Sequence, residues 1–152
     1  MMLGAALVAF GHFLAFFALS AALVLELALL TESLSVETAR RIQRADLALG
    51  LSATLLLVFG ILRVFYFDKG SEFYLGNVFF WIKILLFVAA GVISIYPSMI
   101  YRRWSSELQQ DIAPDLSSDM VTRLKKIIHW ELVLIGGILI CASLMAKGFG
   151  TW

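Results

Sequence analysis

Cysteine and charged residues are scarce in this sequence. Cys141 is the only cysteine and lies in an apolar run, so the chain has no intrachain disulfide, CxxC metal site or iron–sulfur ligand set. Charged residues make up 15% of the chain, the formal net charge is +1 and there is no basic tail, which argues against a nucleic-acid partner. Nucleotide-binding loops and the HExxH, GxSxG and EF-hand patterns are also missing, which excludes the common chemistries of soluble enzymes.

Long hydrophobic runs are the dominant feature of the chain. Hydrophobic residues make up 61% of its 152 residues, and the mean hydropathy of +0.92 is too high for a soluble domain of this size. A bilayer core about 30 Å thick requires roughly 20 apolar residues per helix, and four such segments are present. The sequence therefore predicts an all-α integral membrane four-helix bundle, one transmembrane domain of residues 1–152, with helices at about 3–30, 36–67, 78–104 and 119–147.

Lysine and arginine are distributed unevenly between the connections. Only Lys69 and Lys147 lie in the second connection and the C-terminal tail, whereas the first and third connections and the adjoining helix ends are basic. Cytoplasmic loops are enriched in lysine and arginine, so we expect a multi-pass protein of the bacterial inner membrane with both termini on the outer, periplasmic side. The basic residues on the cytoplasmic side are Arg40, Arg41, Arg44, Arg102, Arg103, Arg123, Lys125 and Lys126.

A first group of polar residues is predicted in the outer half of the spans. Helix rise places His12, Arg63 and Lys83 there, a few residues inside the ends of three helices. A charged group at the centre of a span costs at least about 2.5–3.5 kcal/mol, so each requires a partner, a water-filled cavity or a function. Tyr66 lies one turn from Arg63, and Tyr74 lies in the adjacent connection. We expect these five side chains to form an outward-opening polar pocket.

A second group is predicted near the cytoplasmic ends of the spans and comprises Glu26, Arg44, Asp46 and Glu131. His12 and Glu26 point within about 40° of each other at 100° per residue, so the first helix carries one polar stripe. The directions of His129 and Glu131 around the helix axis differ by about 200°, so both cannot face inward. We expect Glu131 to face inward because a buried carboxylate requires a cationic partner, which Arg44 would supply, whereas His129 can be neutral at the interface. The group is interpreted either as a proton relay or as structural ion pairs.

Two histidines on different spans suggest haem ligation. His129 lies about 15 Å farther inward than His12, so the pair cannot ligate one haem within a monomer. A b-type haem with His12 alone on the iron, and Arg63, Lys83 or Tyr74 on the propionates, is consistent with the outer group.

Three stretches of the chain resemble the bacterial membrane proteins of domain of unknown function 2214 (DUF2214). They are "RIQRADLALGLSATLLLVFGILRVFYFDKGSEFYLGN", "FWIKILLFVAAGVISIYP" and "LMAKGFG". The matching pattern includes Arg44, Asp46, Gly60, Arg63, Lys69, Gly70, Tyr74, Asn77, Lys83, Tyr96, Pro97 and Glu131. A more distant similarity, through His12, Lys83 and Trp130-Glu131, is to the four-helix group of haem-dependent protoporphyrinogen oxidases and copper-resistance D-type proteins. That similarity implies a b-type haem on His12.

Three functional hypotheses follow from the sequence. The first is binding of haem b or a porphyrin in the outward-facing pocket, with activity as a haem-dependent membrane oxidoreductase. The second is a proton-coupled carrier or ion-handling protein, in which His12, Glu26, Asp46 and Glu131 form a polar track through the bundle. The third is a structural subunit of a larger membrane complex. Small residues on the spans would also suit a homodimer, which leaves His129 available to a neighbouring subunit.

Overall fold

Four long helices dominate the computed structural model, which describes residues 2–67 and 70–151. Each of the four contains a segment long and apolar enough to cross a membrane, which confirms the four predicted spans. Lys69 lies outside the described residues. In chain order the elements are α1 (Met2–Leu29), α2 (Val36–Leu62) with a π-helical turn (Arg63–Phe67), α3 (Ser71–Leu75), α4 (Val78–Arg103), α5 (Ser105–Gln109) and α6 (Ser118–Ala146).

Side-chain caps fix where three of the long helices begin. The Ser35 hydroxyl accepts a hydrogen bond from the Thr38 backbone N–H at 3.1 Å at the start of α2. The Asn77 amide oxygen accepts one from the Phe79 N–H at 2.9 Å at the start of α4, and Ser117 caps α6 in the same way. Each cap satisfies a donor that the first helical turn leaves without a partner, which stabilises a helix by about 1 kcal/mol.

The long helices form two antiparallel pairs. α1 packs along α2 and α4 packs along α6, and the pairs meet through α1 against α6 and, over a shorter length, α2 against α4. The shared core is apolar, and its fully buried aliphatic side chains are Leu23, Leu30, Ile42, Leu124 and Ile128. The outer surfaces of the helices are also apolar, with large exposed side chains that include Phe10, Phe17, Leu85, Val92 and Ile140. This distribution suits a bundle surrounded by lipid.

The end of the bundle formed by the first and third connections is called the loop end. A backbone bridge joins Ser33 to Asp115 there. The Arg40 guanidinium forms an ion pair with Asp111 at 2.7 Å and also donates to the Leu108 carbonyl at 2.8 Å. The loop end is therefore tied together by contacts between the two helix pairs.

The opposite end, called the termini end, holds the beginning of α1, the second connection and the C-terminal residues. The Asn77 side-chain amide, fully buried, donates to the Phe149 carbonyl at 2.9 Å. The Val78 N–H donates to the Gly150 carbonyl at 2.8 Å. Gly150 has a φ of +77° and an added Cβ would lie 2.6 Å from the Phe79 ring, so glycine is required at this contact.

Candidate functional site

The structure brings three of the outer polar residues together at the termini end. The charges of Arg63 and Lys83 act on the His12 side chain. The Arg63 guanidinium lies 5.6 Å from the centre of the Phe13 ring, and the Lys83 ammonium lies 5.2 Å from the centre of the Phe80 ring. Both distances are in the range of cation–π attraction, so Arg63 is held against an aromatic face of α1 and Lys83 against one of its own helix, α4.

The two tyrosines predicted for the same pocket lie in different surroundings. Tyr74 on α3 is buried, and its ring packs against Phe73 and Phe80 with centroid distances of 5.4 and 5.7 Å. Tyr66 lies on the π-helical turn and is 76% exposed. The structure therefore does not enclose the five predicted residues in one pocket, and their role in binding a cofactor stays a prediction.

His12 is wedged between α1 and α2. A Cβ added at Gly60 of α2 would lie 3.5 Å from its Cε1 and 3.8 Å from its Nδ1, and the ring also interacts with the Leu56 backbone. His12 Nδ1 is buried and has no hydrogen-bond partner among the described residues. A histidine nitrogen that is available to bind a metal would have the same property. However, α2 occupies the space on that side of the ring. A porphyrin does not fit on Nδ1 while α1 and α2 are packed in this way.

The inner group is centred on three carboxyl groups from three helices, here called the carboxyl triad: Glu26 of α1, Asp46 of α2 and Glu131 of α6. Glu26 and Glu131 are 1% and 3% exposed, and Asp46 is half-buried. Each of the three carboxyl groups interacts electrostatically with another member of the triad. The prediction that Glu131 faces inward is confirmed, and His129 is exposed with its Nδ1 2.7 Å from the Lys125 carbonyl.

The expected ion pair between Arg44 and the buried carboxylates is not formed. Arg44 is exposed at the loop end, and the ion pairs among the described residues do not include it. Asp46, two residues farther along α2, is on the inner side, because a helix rotates about 200° over two residues. None of the triad carboxylates forms an ion pair with a described lysine or arginine.

Three residues of α4 that are absent from the predicted site supply polar neighbours to the triad. The Ser98 hydroxyl donates to the Asp46 carboxylate, and Ser94 lies beside Glu131. Tyr101, fully buried, lies beside Glu26. Yet neither the Tyr101 hydroxyl nor Glu26 Oε1 has a hydrogen-bond partner of normal geometry among the described residues.

A cleft of about 350 Å³ lies between α2 and α4, with α1 and α6 behind it. Most of its lining is apolar, and Asp46 and Glu131 line its loop-end side. A second cavity, of about 420 Å³, adjoins it toward the loop end, and Tyr101 lines that cavity. The residues that line both are Asp46, Gly50, Ser98 and Arg102. Asp46 and Glu131 therefore border a space that extends from the loop end into the bundle.

These features define an integral membrane protein of four spanning helices with a carboxylate-lined cleft inside the bundle. Residues 4–150 match the family described as predicted membrane protein (DUF2214), so the chain belongs to this family, as the sequence resemblance predicts. No curated protein and no solved structure matches the chain. Among the described residues, no group of three or more histidine, cysteine, aspartate or glutamate side chains is arranged to hold a metal ion.

Proposed function

We propose that the protein is a proton-coupled carrier of cations, with the carboxyl triad as its ion-binding group. The observation that supports this most directly is the convergence of Glu26, Asp46 and Glu131 inside the bundle without a described lysine or arginine as an ion-pair partner. Uncompensated charge inside a membrane is expensive, and intramembrane acidic residues often serve as proton or ion sites. A proton or another cation would neutralise the triad.

The packing of the helices supports a carrier because the cleft lies between two helix pairs. We expect α1 and α2 to move as one pair, and α4 and α6 as the other, because contacts within each pair are more extensive than those between pairs. Rocking of one bundle element against another around a fixed site is the usual basis of alternating access. A small rotation of one pair against the other would widen or close the cleft beside Asp46.

The carrier is tested by proton movement in proteoliposomes. Vesicles with an acidic interior and a trapped pH indicator receive Na⁺, K⁺ or an organic cation on the outside. We expect at least one cation to cause proton efflux that depends on the protein, because entry of the cation releases protons from the triad. This efflux should be abolished by Glu26→Gln and by Glu131→Gln.

The matched control is Glu32→Gln, which removes an exposed carboxylate at the loop end. This variant should retain the efflux of the wild-type protein. Equal efflux from protein-containing and protein-free vesicles for every cation would contradict the proposal, and so would unchanged efflux in the Glu26 and Glu131 variants.

The same proposal places the loop end in the cytoplasm and the protein in the bacterial inner membrane. The support is the concentration of lysine and arginine at the first and third connections. Glu32 lies exposed in the first connection and Glu72 lies exposed on α3 at the opposite end. In intact cells with a permeabilised outer membrane, a membrane-impermeant maleimide should label Glu72→Cys and not Glu32→Cys. The reverse labelling would invert the topology.

Haem binding at His12 stays a prediction. Its support is the buried Nδ1 atom without a described hydrogen-bond partner, and the packing against Gly60 opposes it. A reduced-minus-oxidised absorption spectrum of protein expressed with ample haem separates the two hypotheses. The carrier predicts a colourless protein, whereas a Soret band that disappears in His12→Ala would favour the oxidoreductase.

A further inference from the structure

We infer that the cleft between α2 and α4 binds a lipophilic organic cation, such as a quaternary ammonium or phosphonium ion with aromatic groups. The cation would enter sideways from the lipid and place its charge beside Asp46 and Glu131. This inference rests on the proposed function, because it names the class of cation that the carboxyl triad exchanges for protons. It goes beyond that proposal by assigning the apolar part of the cleft to the apolar part of the substrate.

The shape of the cleft is set by small residues on its two walls. Gly50 and Ala53 of α2 and Ala90 and Gly91 of α4 all line it. A Cβ added at Gly50 or Gly91 would meet no atom within 4 Å, and both glycines are exposed, so the space opens toward the surrounding lipid. The volume of about 350 Å³ falls in the range of small-molecule pockets, about 300–1,000 Å³.

The apolar lining suits a hydrophobic body with aromatic groups. Phe16 of α1 and Phe87 of α4 line the cleft, and aromatic faces attract organic cations in addition to their apolar contacts. The aliphatic residues of the lining are Leu19, Leu23, Leu49, Leu56, Ile95, Ile135 and Ile138. Little of this surface would coordinate a hydrated inorganic ion, which requires oxygen ligands.

The charge of the cleft favours a cation over a neutral or anionic molecule. Asp46 and Glu131 line it and Glu26 lies behind them, whereas Arg102, the one basic residue of the lining, is in the last turn of α4 and exposed. The buried Tyr101 hydroxyl, which has no hydrogen-bond partner of normal geometry among the described residues, adds a polar atom to the adjoining cavity. A lipid acyl chain or an apolar helix of a second copy would leave these groups facing hydrocarbon, which is unfavourable.

Binding of tetraphenylphosphonium to the full-length protein in mild detergent tests the inference, with tetraphenylborate as an anion of the same shape. The wild-type protein should bind the phosphonium and not the borate. Glu131→Gln should weaken phosphonium binding about tenfold or more, the usual consequence of losing a charged contact in a low-dielectric site. Gly50→Leu and Gly91→Leu should weaken it to a similar extent, because the new side chains fill the cleft.

Gly136→Leu is the matched control. Gly136 lies in the membrane-spanning part of α6, an added Cβ there also meets no atom within 4 Å, and the residue does not line the cleft. This variant should bind the phosphonium as the wild type does. Thermal unfolding of each variant identifies any loss of binding that follows from misfolding.

Three results would overturn the inference. The first is equal binding of phosphonium and borate, which indicates an apolar cleft without charge selection. The second is undiminished phosphonium binding in Gly50→Leu and Gly91→Leu. The third is the absence of phosphonium binding. If the protein then forms dimers that Gly91→Leu dissociates, a second copy of the chain occupies the cleft. Proton efflux driven by Na⁺ or K⁺ alone would leave the proposed carrier intact, whereas phosphonium binding without any proton efflux would contradict the carrier and retain the site.

Discussion

Glu26→Gln is expected to make the protein more stable and, at the same time, inactive. Glu26 is 1% exposed, interacts with the like charges of Asp46 and Glu131, and has an Oε1 atom without a described hydrogen-bond partner. A neutral amide of nearly the same shape removes this charge from the bundle. Because a buried charge beside like charges is unfavourable, the free energy of unfolding should rise by about 1–3 kcal/mol at a pH where the triad of the wild-type protein has lost its protons.

The measurement is thermal or denaturant unfolding of the purified protein in one detergent, compared with the proton efflux of the same variant. Glu32→Gln removes an exposed carboxylate and should change neither quantity. Opposite effects of one substitution on stability and activity are typical of sites that retain unfavourable charge for function. A Glu26→Gln variant that is less stable than the wild type would indicate that the carboxylate serves the fold.

Leu124→Ala is expected to destabilise the protein by about 2–4 kcal/mol, as deletion of a buried leucine does in other cores. Leu124 is 0% exposed in the second turn of α6, where it packs in the core shared by the two helix pairs. Truncation leaves a cavity that fixed neighbours such as Ile42 and Ile128 cannot fill completely. The unfolding midpoint in detergent should fall accordingly.

Leu139→Ala is the corresponding control on the same helix. Leu139 is 51% exposed on the surface that faces lipid, and replacing a lipid contact by another lipid contact changes the free energy little. We expect its unfolding midpoint to stay close to that of the wild type. Equal destabilisation by the two substitutions would contradict the role of Leu124 in the shared core.

The sequence predicts much of this fold because the membrane limits the alternatives. Apolar segments of about 20 residues define the spans, and an α-helix is the only regular structure that satisfies its own backbone within a single segment in lipid. Helical periodicity correctly predicts that Glu131 and His129 do not both face the bundle, whereas the correct choice of Glu131 was based on an ion pair with Arg44 that is not formed. These features depend on each helix alone.

The cleft depends on how the helices pair, which periodicity does not specify. Apolar faces predict that a helix packs, but the extensive pairing of α1 with α2 and of α4 with α6 leaves space between α2 and α4. The expected ion pair of Arg44 with the buried carboxylates is absent because Arg44 and Asp46 lie on different faces of α2, with Arg44 exposed and Asp46 facing inward. A usable signal was nevertheless present in Ser94, Ser98 and Tyr101, whose spacing of four and three residues marks a polar stripe along α4.

If the carboxyl triad binds protons and exchanges them for a cation, binding of the cation must release protons into solution. Tetraphenylphosphonium is added to the purified protein in weakly buffered detergent solution, and the protons released per cation bound are determined with a pH indicator. We expect proton release by the wild-type protein that is reduced or lost in Glu26→Gln and Glu131→Gln and retained in Glu32→Gln. Saturable binding of the cation without any change in pH, or with equal release by all these proteins, would contradict it.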